Sequence, residues 1–124
     1  MNLSVTLADA NILISRTLRD YVVYSAKLGV LDIHWSEPIL EETTRNLIKQ
    51  FNFAPEAADI LVDRLSAYLP TALVEINKRE EARVAKVDMD PKDRHVLAAA
   101  LSADADVLLT QTVRPFPKEW MAKR

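Results

Sequence analysis

The sequence predicts an α/β fold with a mainly parallel sheet and helices on both faces. Short apolar runs that read as strands alternate with longer segments whose apolar residues recur at helical spacing. The chemically distinctive polar residues fall where those runs end or where the following helices begin. In parallel sheets that edge is where ligands bind.

Val5-Thr6-Leu7-Ala8 is apolar enough for a buried first strand, and Asp9-Ala10-Asn11 closes it. Leu18, Tyr21, Val22, Ser25, Ala26 and Leu28 then follow helical spacing, with Gly29, the chain's single glycine, at the stop. Leu31-Asp32-Ile33-His34-Trp35 alternates as a second strand. Ser36 is a helix cap and Pro38 fits the first turn of a helix running to about Gln50. Pro55 opens another helix through Leu69, with Ala58, Leu61, Val62, Leu65 and Leu69 on one face, and Pro70 stops it. Ala72-Leu73-Val74-Glu75-Ile76 reads as a third strand. The charge-rich segment Asn77–Lys86 fits either a short helix or a loop. Asp90 as cap, Pro91 at the first helical position and Asp93 in the first turn start a helix reaching about Ala103. Asp106-Val107-Leu108-Leu109-Thr110 is the last strand. With no repeat, linker or low-complexity tract, residues 1–124 are expected to form one domain.

Composition narrows the chemistry. There are no cysteines, which excludes disulfides, thiolate metal sites and a cysteine nucleophile. No His-x-x-x-His pair accompanies the two histidines, an argument against a zinc centre. Net charge is −2, so there is no global basic field, although from Arg114 onward Arg114, Lys118, Lys123 and Arg124 oppose only Glu119. The amino terminus lacks the pattern of a signal peptide, and the uncharged stretch Val96–Ala103 is too short to span a bilayer. The expectation is a cytoplasmic protein with no membrane partner.

Four polar patches remain: Asp9; Glu41-Glu42; Asp88, Asp90 and Asp93; and Thr110-Gln111-Thr112. A carboxylate directly after a core strand is costly unless paired or metal-bound, which favours a functional role for Asp9 over a simple cap. Glu41 and Glu42 project about 100° apart on a helix, so only one can face a shared site. Glu42 is favoured, with Arg45 and Asn46 extending its polar face. Asp90 and Asp93 have a sufficient structural explanation as acids at a helix start. His95 lies close to Asp93 in sequence and is a candidate supporting residue. Trp35 and Trp120 read as packing residues rather than base-stacking platforms.

Taken together, Leu-Ala-Asp-Ala-Asn-Ile-Leu (7–13), Trp-Ser-Glu-Pro-Ile-Leu-Glu-Glu-Thr-Thr-Arg-Asn-Leu (35–47) and Asp-Pro-Lys-Asp-Arg-His-Val-Leu-Ala-Ala-Ala (90–100) resemble the PIN-domain family. The likeness is strongest to VapC-like ribonuclease toxins of type II toxin–antitoxin pairs. The resemblance implies a three-layer α/β/α sandwich that gathers acids around Mg²⁺ or Mn²⁺ and cleaves RNA. It further implies a cognate antitoxin as partner and a homodimer, formed through the segment around residues 52–70. By position, Asp9, Glu42 and Asp93 match the catalytic and metal-binding acids, and Asp90 a frequent neighbouring acid. Asn11, Thr110, Thr112, Arg45 and His95 are candidates for contacting substrate or supporting the ligands. The family usually carries acids after its last strand, where this chain has Thr112 and Pro115. That departure motivates an alternative: a weakened member that binds RNA or a protein without efficient cleavage. A phosphoryl-transfer enzyme with Asp9 as nucleophile fits less well, because Asp9-Ala10-Asn11 lacks the Asp-x-Asp of dehalogenase-like phosphatases.

Overall fold

The computed structural model describes residues 4–110. Strand β1 (Ser4–Ala8) leads into a single helical turn, α1 (Ala10–Leu13), and then α2 (Arg16–Lys27). Strand β2 (Leu31–His34) is followed by α3 (Glu37–Phe51) and α4 (Pro55–Tyr68). Helix α5 (Lys78–Ala85) precedes a 3₁₀ turn over Pro91–Asp93, then α6 (Arg94–Ser102) and β3 (Val107–Leu109).

The sheet order is β2-β1-β3, with both pairings parallel. Thr6 pairs with Ile33 on one side and Val107 on the other, which fixes the register of all three strands. Thr6, Leu7 and Ala8 are all buried, as a central strand covered on both faces requires. Helix α2 packs on β2, α6 packs on β1, and α3 packs against α1, α4 and α6, giving the three-layer α/β/α arrangement. Trp35, Leu7, Leu13 and Ile39 are among the largest fully buried side chains, so Trp35 is a core residue.

Helix boundaries follow the capping chemistry. Ser15 accepts from Leu18 N–H, Ser36 from Ile39 N–H, and Asn77 from Glu80 N–H. Gly29 at φ +78° and Asn52 at φ 57° take left-handed conformations just after α2 and α3. The segment 77–86 is helical because Asn77 caps it and Glu80 pairs with Arg83 one turn on at 2.7 Å.

Two expectations are corrected. Residues 72–76 form no strand: only Leu73 makes an isolated parallel bridge, to Trp35. Trp35 N–H donates to Ala72 C=O and Val74 N–H to Trp35 C=O, after which the chain turns into the Asn77-capped helix. The alternating apolar residues were a true sign of an edge, but pairing ends after one rung. The second correction concerns Asp93. It belongs to the 3₁₀ turn, and α6 begins only at Arg94. Asp90 caps that turn by accepting from Lys92 N–H at 3.0 Å, whereas Asp93 makes no side-chain cap bond to α6.

Candidate active site

With all the described strands parallel, the carboxyl ends of β1, β2 and β3 share one edge, and each leads into a candidate residue. Asp9 follows β1 directly and is 2% exposed. Its backbone N–H donates to Leu109 C=O at 3.1 Å, so its position is set by the pairing of β1 with β3. Its carboxylate Oδ1 accepts from Ala10 N–H at 2.7 Å, capping α1. Oδ2 accepts from the Thr110 hydroxyl at 3.3 Å, and Asn11 Nδ2 donates to Thr110 Oγ1 at 3.1 Å. Asp9, Asn11 and Thr110 thus form one connected group.

The second group joins α3 to the first turn of α6. His95 Nε2 stands 3.8 Å from Glu42 Oε1, and Asp93, 8% exposed, lies two residues before His95. His95 Nδ1 is buried with no hydrogen-bond partner among the described residues. Glu42 is half-buried, whereas Glu41 is exposed and lines the groove between α3 and α4 with Arg45, Asp59 and Asp63. Arg45 is thereby placed on the Glu41 flank of the helix. Asp90 is exposed at its turn. Thr112 lies outside the described residues, as do Gln111, Pro115 and Trp120.

Among the described residues, no three Asp, Glu, His or Cys side chains form a group that could hold a metal ion. The donor chemistry nevertheless suits a hard cation, since the candidate ligands Asp9, Glu42, Asp93 and Asp90 offer only oxygen. Asp9 supplies the structural reason. A carboxylate this buried needs compensation, and among the described residues it pairs with no Lys, Arg or His. Two backbone and hydroxyl donors fix its direction but leave its charge uncancelled.

The sequence motifs locate Asp9, Glu42 and Asp93 but not the Thr110 bridge, which exists only because β3 lies beside β1. Its one legible sign is a hydroxyl residue ending the last strand. His95 beside Glu42 likewise requires knowing that α3 and α6 are neighbours.

A parallel sheet whose central strand delivers a buried acid to its carboxyl edge, with further acids supplied by flanking helices, defines a class of α/β domains suited to divalent-metal phosphodiester chemistry. The chain belongs to the PIN domain family, whose profile matches residues 5–114. Domains of this family are typically metal-dependent nucleases. No curated protein and no solved structure matches the chain.

Proposed function

We propose that this chain is a divalent-metal-dependent endoribonuclease acting in the cytoplasm, and that it is the toxin of a VapC-like toxin–antitoxin pair. The observation that carries the nuclease reading is Asp9, a buried carboxylate of fixed direction with no cationic partner among the described residues. Asp9, Glu42 and Asp93 would hold Mg²⁺ or Mn²⁺, with Asp90 at the margin. The bound ion supplies Lewis-acid polarisation of a phosphate and a more acidic water. The residues of the chain orient and limit that chemistry. Thr110 keeps Asp9 and Asn11 in one hydrogen-bonded unit, so both present fixed oxygens to the edge. His95 Nε2 faces Glu42 Oε1 across 3.8 Å. The toxin role, the antitoxin and the homodimer rest on the likeness of the three sequence blocks to VapC-like proteins.

The test is RNA cleavage with Mg²⁺ or Mn²⁺ by wild type and Asp9→Asn. The substitution keeps the cap acceptor and removes the charge. Cleavage should fall roughly 100-fold or more, about 2.7 kcal/mol of transition-state stabilisation. Equal cleavage by both proteins at every metal concentration rules the reading out.

A second reading, an RNA- or protein-binding member with weak cleavage, is favoured by one observation: Thr112 and Pro115 stand where the family usually places acids. Thr112→Asp distinguishes the two. A gain in metal affinity together with a gain in cleavage supports the thinned ligand set. RNA binding without cleavage in both proteins supports the binding role.

A further inference from the structure

Arg19 has no part in the acidic edge. On α2 it shares helical spacing with Val22, Val23 and Ala26, so a guanidinium interrupts the apolar stripe. It is nevertheless only 8% exposed. An arginine carries five N–H donors. Here Nη1 donates to Leu13 C=O at 2.9 Å, and among the described residues no carboxylate lies within ion-pair distance. Burial pulls its pKa below the usual value; neighbouring Asp20 offsets this in part and Arg16 adds to it. Among the described residues, this desolvated cation has Asp20 nearby but no carboxylate in direct ion-pair contact.

Beside it lies a cavity of about 500 Å³ between α2 and α4. Val23, Leu61, Leu65 and Tyr68 make its wall mainly apolar, and Arg64 adds a second guanidinium from α4. Among the described residues Asp20 is the one carboxylate on the lining, and Lys27 Nζ stands 4.4 Å from the centre of the Tyr68 ring. The volume falls inside the range of roughly 300–1,000 Å³ typical of small-ligand sites. A mainly apolar lining that includes two arginines suits a molecule that is itself apolar with one anionic end.

We propose that the α2–α4 cavity binds an apolar monocarboxylate, its carboxylate paired with Arg19 and Arg64 and its aliphatic or aryl body against Leu61, Leu65 and Tyr68. Guanidinium and carboxylate match in planar, bidentate geometry, which gives direction as well as attraction. Asp20 disfavours a second negative charge on the ligand. The site is separate from the acidic edge and independent of nuclease activity.

Titration calorimetry with octanoate, octanol and acetate tests this on the whole protein. Octanoate should bind at one site, and octanol and acetate each at least roughly tenfold more weakly, about 1.4 kcal/mol or more. Arg19→Met keeps the volume and removes the charge, and Leu61→Trp fills the wall without touching either arginine; each should weaken octanoate by a similar factor. The comparison of the three ligands on wild type stands even if a variant fails to fold. Absence of octanoate binding, equal binding of octanol or acetate, or full affinity in folded Leu61→Trp overturns the proposal. Because the readout is binding heat, its outcome is separate from that of the cleavage assay.

Discussion

The Thr110 hydroxyl donates to Asp9 Oδ2 at 3.3 Å, linking the residue after β3 to the residue after β1 across 101 positions of sequence. The same oxygen accepts from Asn11 Nδ2 at 3.1 Å. With only one proton, the hydroxyl gives it either to Asp9 or to the Asn11 side-chain oxygen 3.2 Å away. Thr110→Val removes the link while preserving shape. It should cost about 1 kcal/mol in denaturant unfolding and reduce the rise in melting temperature that the proposed metal site predicts on adding Mn²⁺. Thr110→Ser should restore both. Unchanged unfolding and an unchanged metal response in Thr110→Val would show that the bridge positions nothing.

Glu41 and Glu42 are adjacent in sequence but occupy different environments: Glu41 is exposed in the α3–α4 groove, and Glu42 is half-buried beside His95. Glu42→Gln should depress metal-dependent cleavage by roughly tenfold or more, about 1.4 kcal/mol, while Glu41→Gln leaves it near wild type. Parallel Mn²⁺ titrations of the two variants make the comparison. A larger loss in Glu41→Gln reverses the assignment.

Asp90 and Asp93 should also separate. Asp90 caps the 3₁₀ turn, so Asp90→Ala is expected to lower stability by roughly 0.5–1 kcal/mol. Asp93 is nearly buried yet makes no cap bond, so Asp93→Asn should spare α6 and blunt the Mn²⁺ response. Thermal melts with and without Mn²⁺ read both quantities. The opposite pattern would make Asp93 the structural residue of the pair.

Gly29 provides a control remote from the site. A Cβ placed there meets nothing within 4 Å, but the residue sits at φ +78°. Gly29→Ala should therefore cost about 1 kcal/mol through backbone conformation alone, and metal-dependent cleavage should not change. Urea unfolding and the cleavage assay together check this.

The alternation of β1, β2 and their helices was legible because each boundary carries its own chemistry: Ser36 and Pro38 open α3, and Gly29 ends α2. Expectation failed where tertiary contacts decide. Residues 72–76 alternate like a strand, yet with a single rung to Trp35 they do not continue the sheet. Asp90-Pro91-Lys92-Asp93 reads as the first turn of the helix itself, but the chain spends Pro91–Asp93 on a 3₁₀ turn, and Asp93 stands at the N-cap of α6 without a side-chain cap bond to it. Arg19 was overlooked because arginine on a helix normally reads as surface. Its spacing with Val22 and Ala26 was the available sign that it points inward.

The order β2-β1-β3 gives the last described strand a place beside the first. Thr6 must find Val107 before the Asp9 backbone can bond Leu109 and its carboxylate can meet Thr110. Closing a loop of that length is slow compared with forming α2 or α3 locally. A chain emerging from the ribosome therefore lacks the assembled edge until the segment through Thr110 has been made. This sheet order acts as a built-in delay: Asp9 and Asn11 are made early but stay unjoined to Thr110 until β3 has emerged and paired with β1.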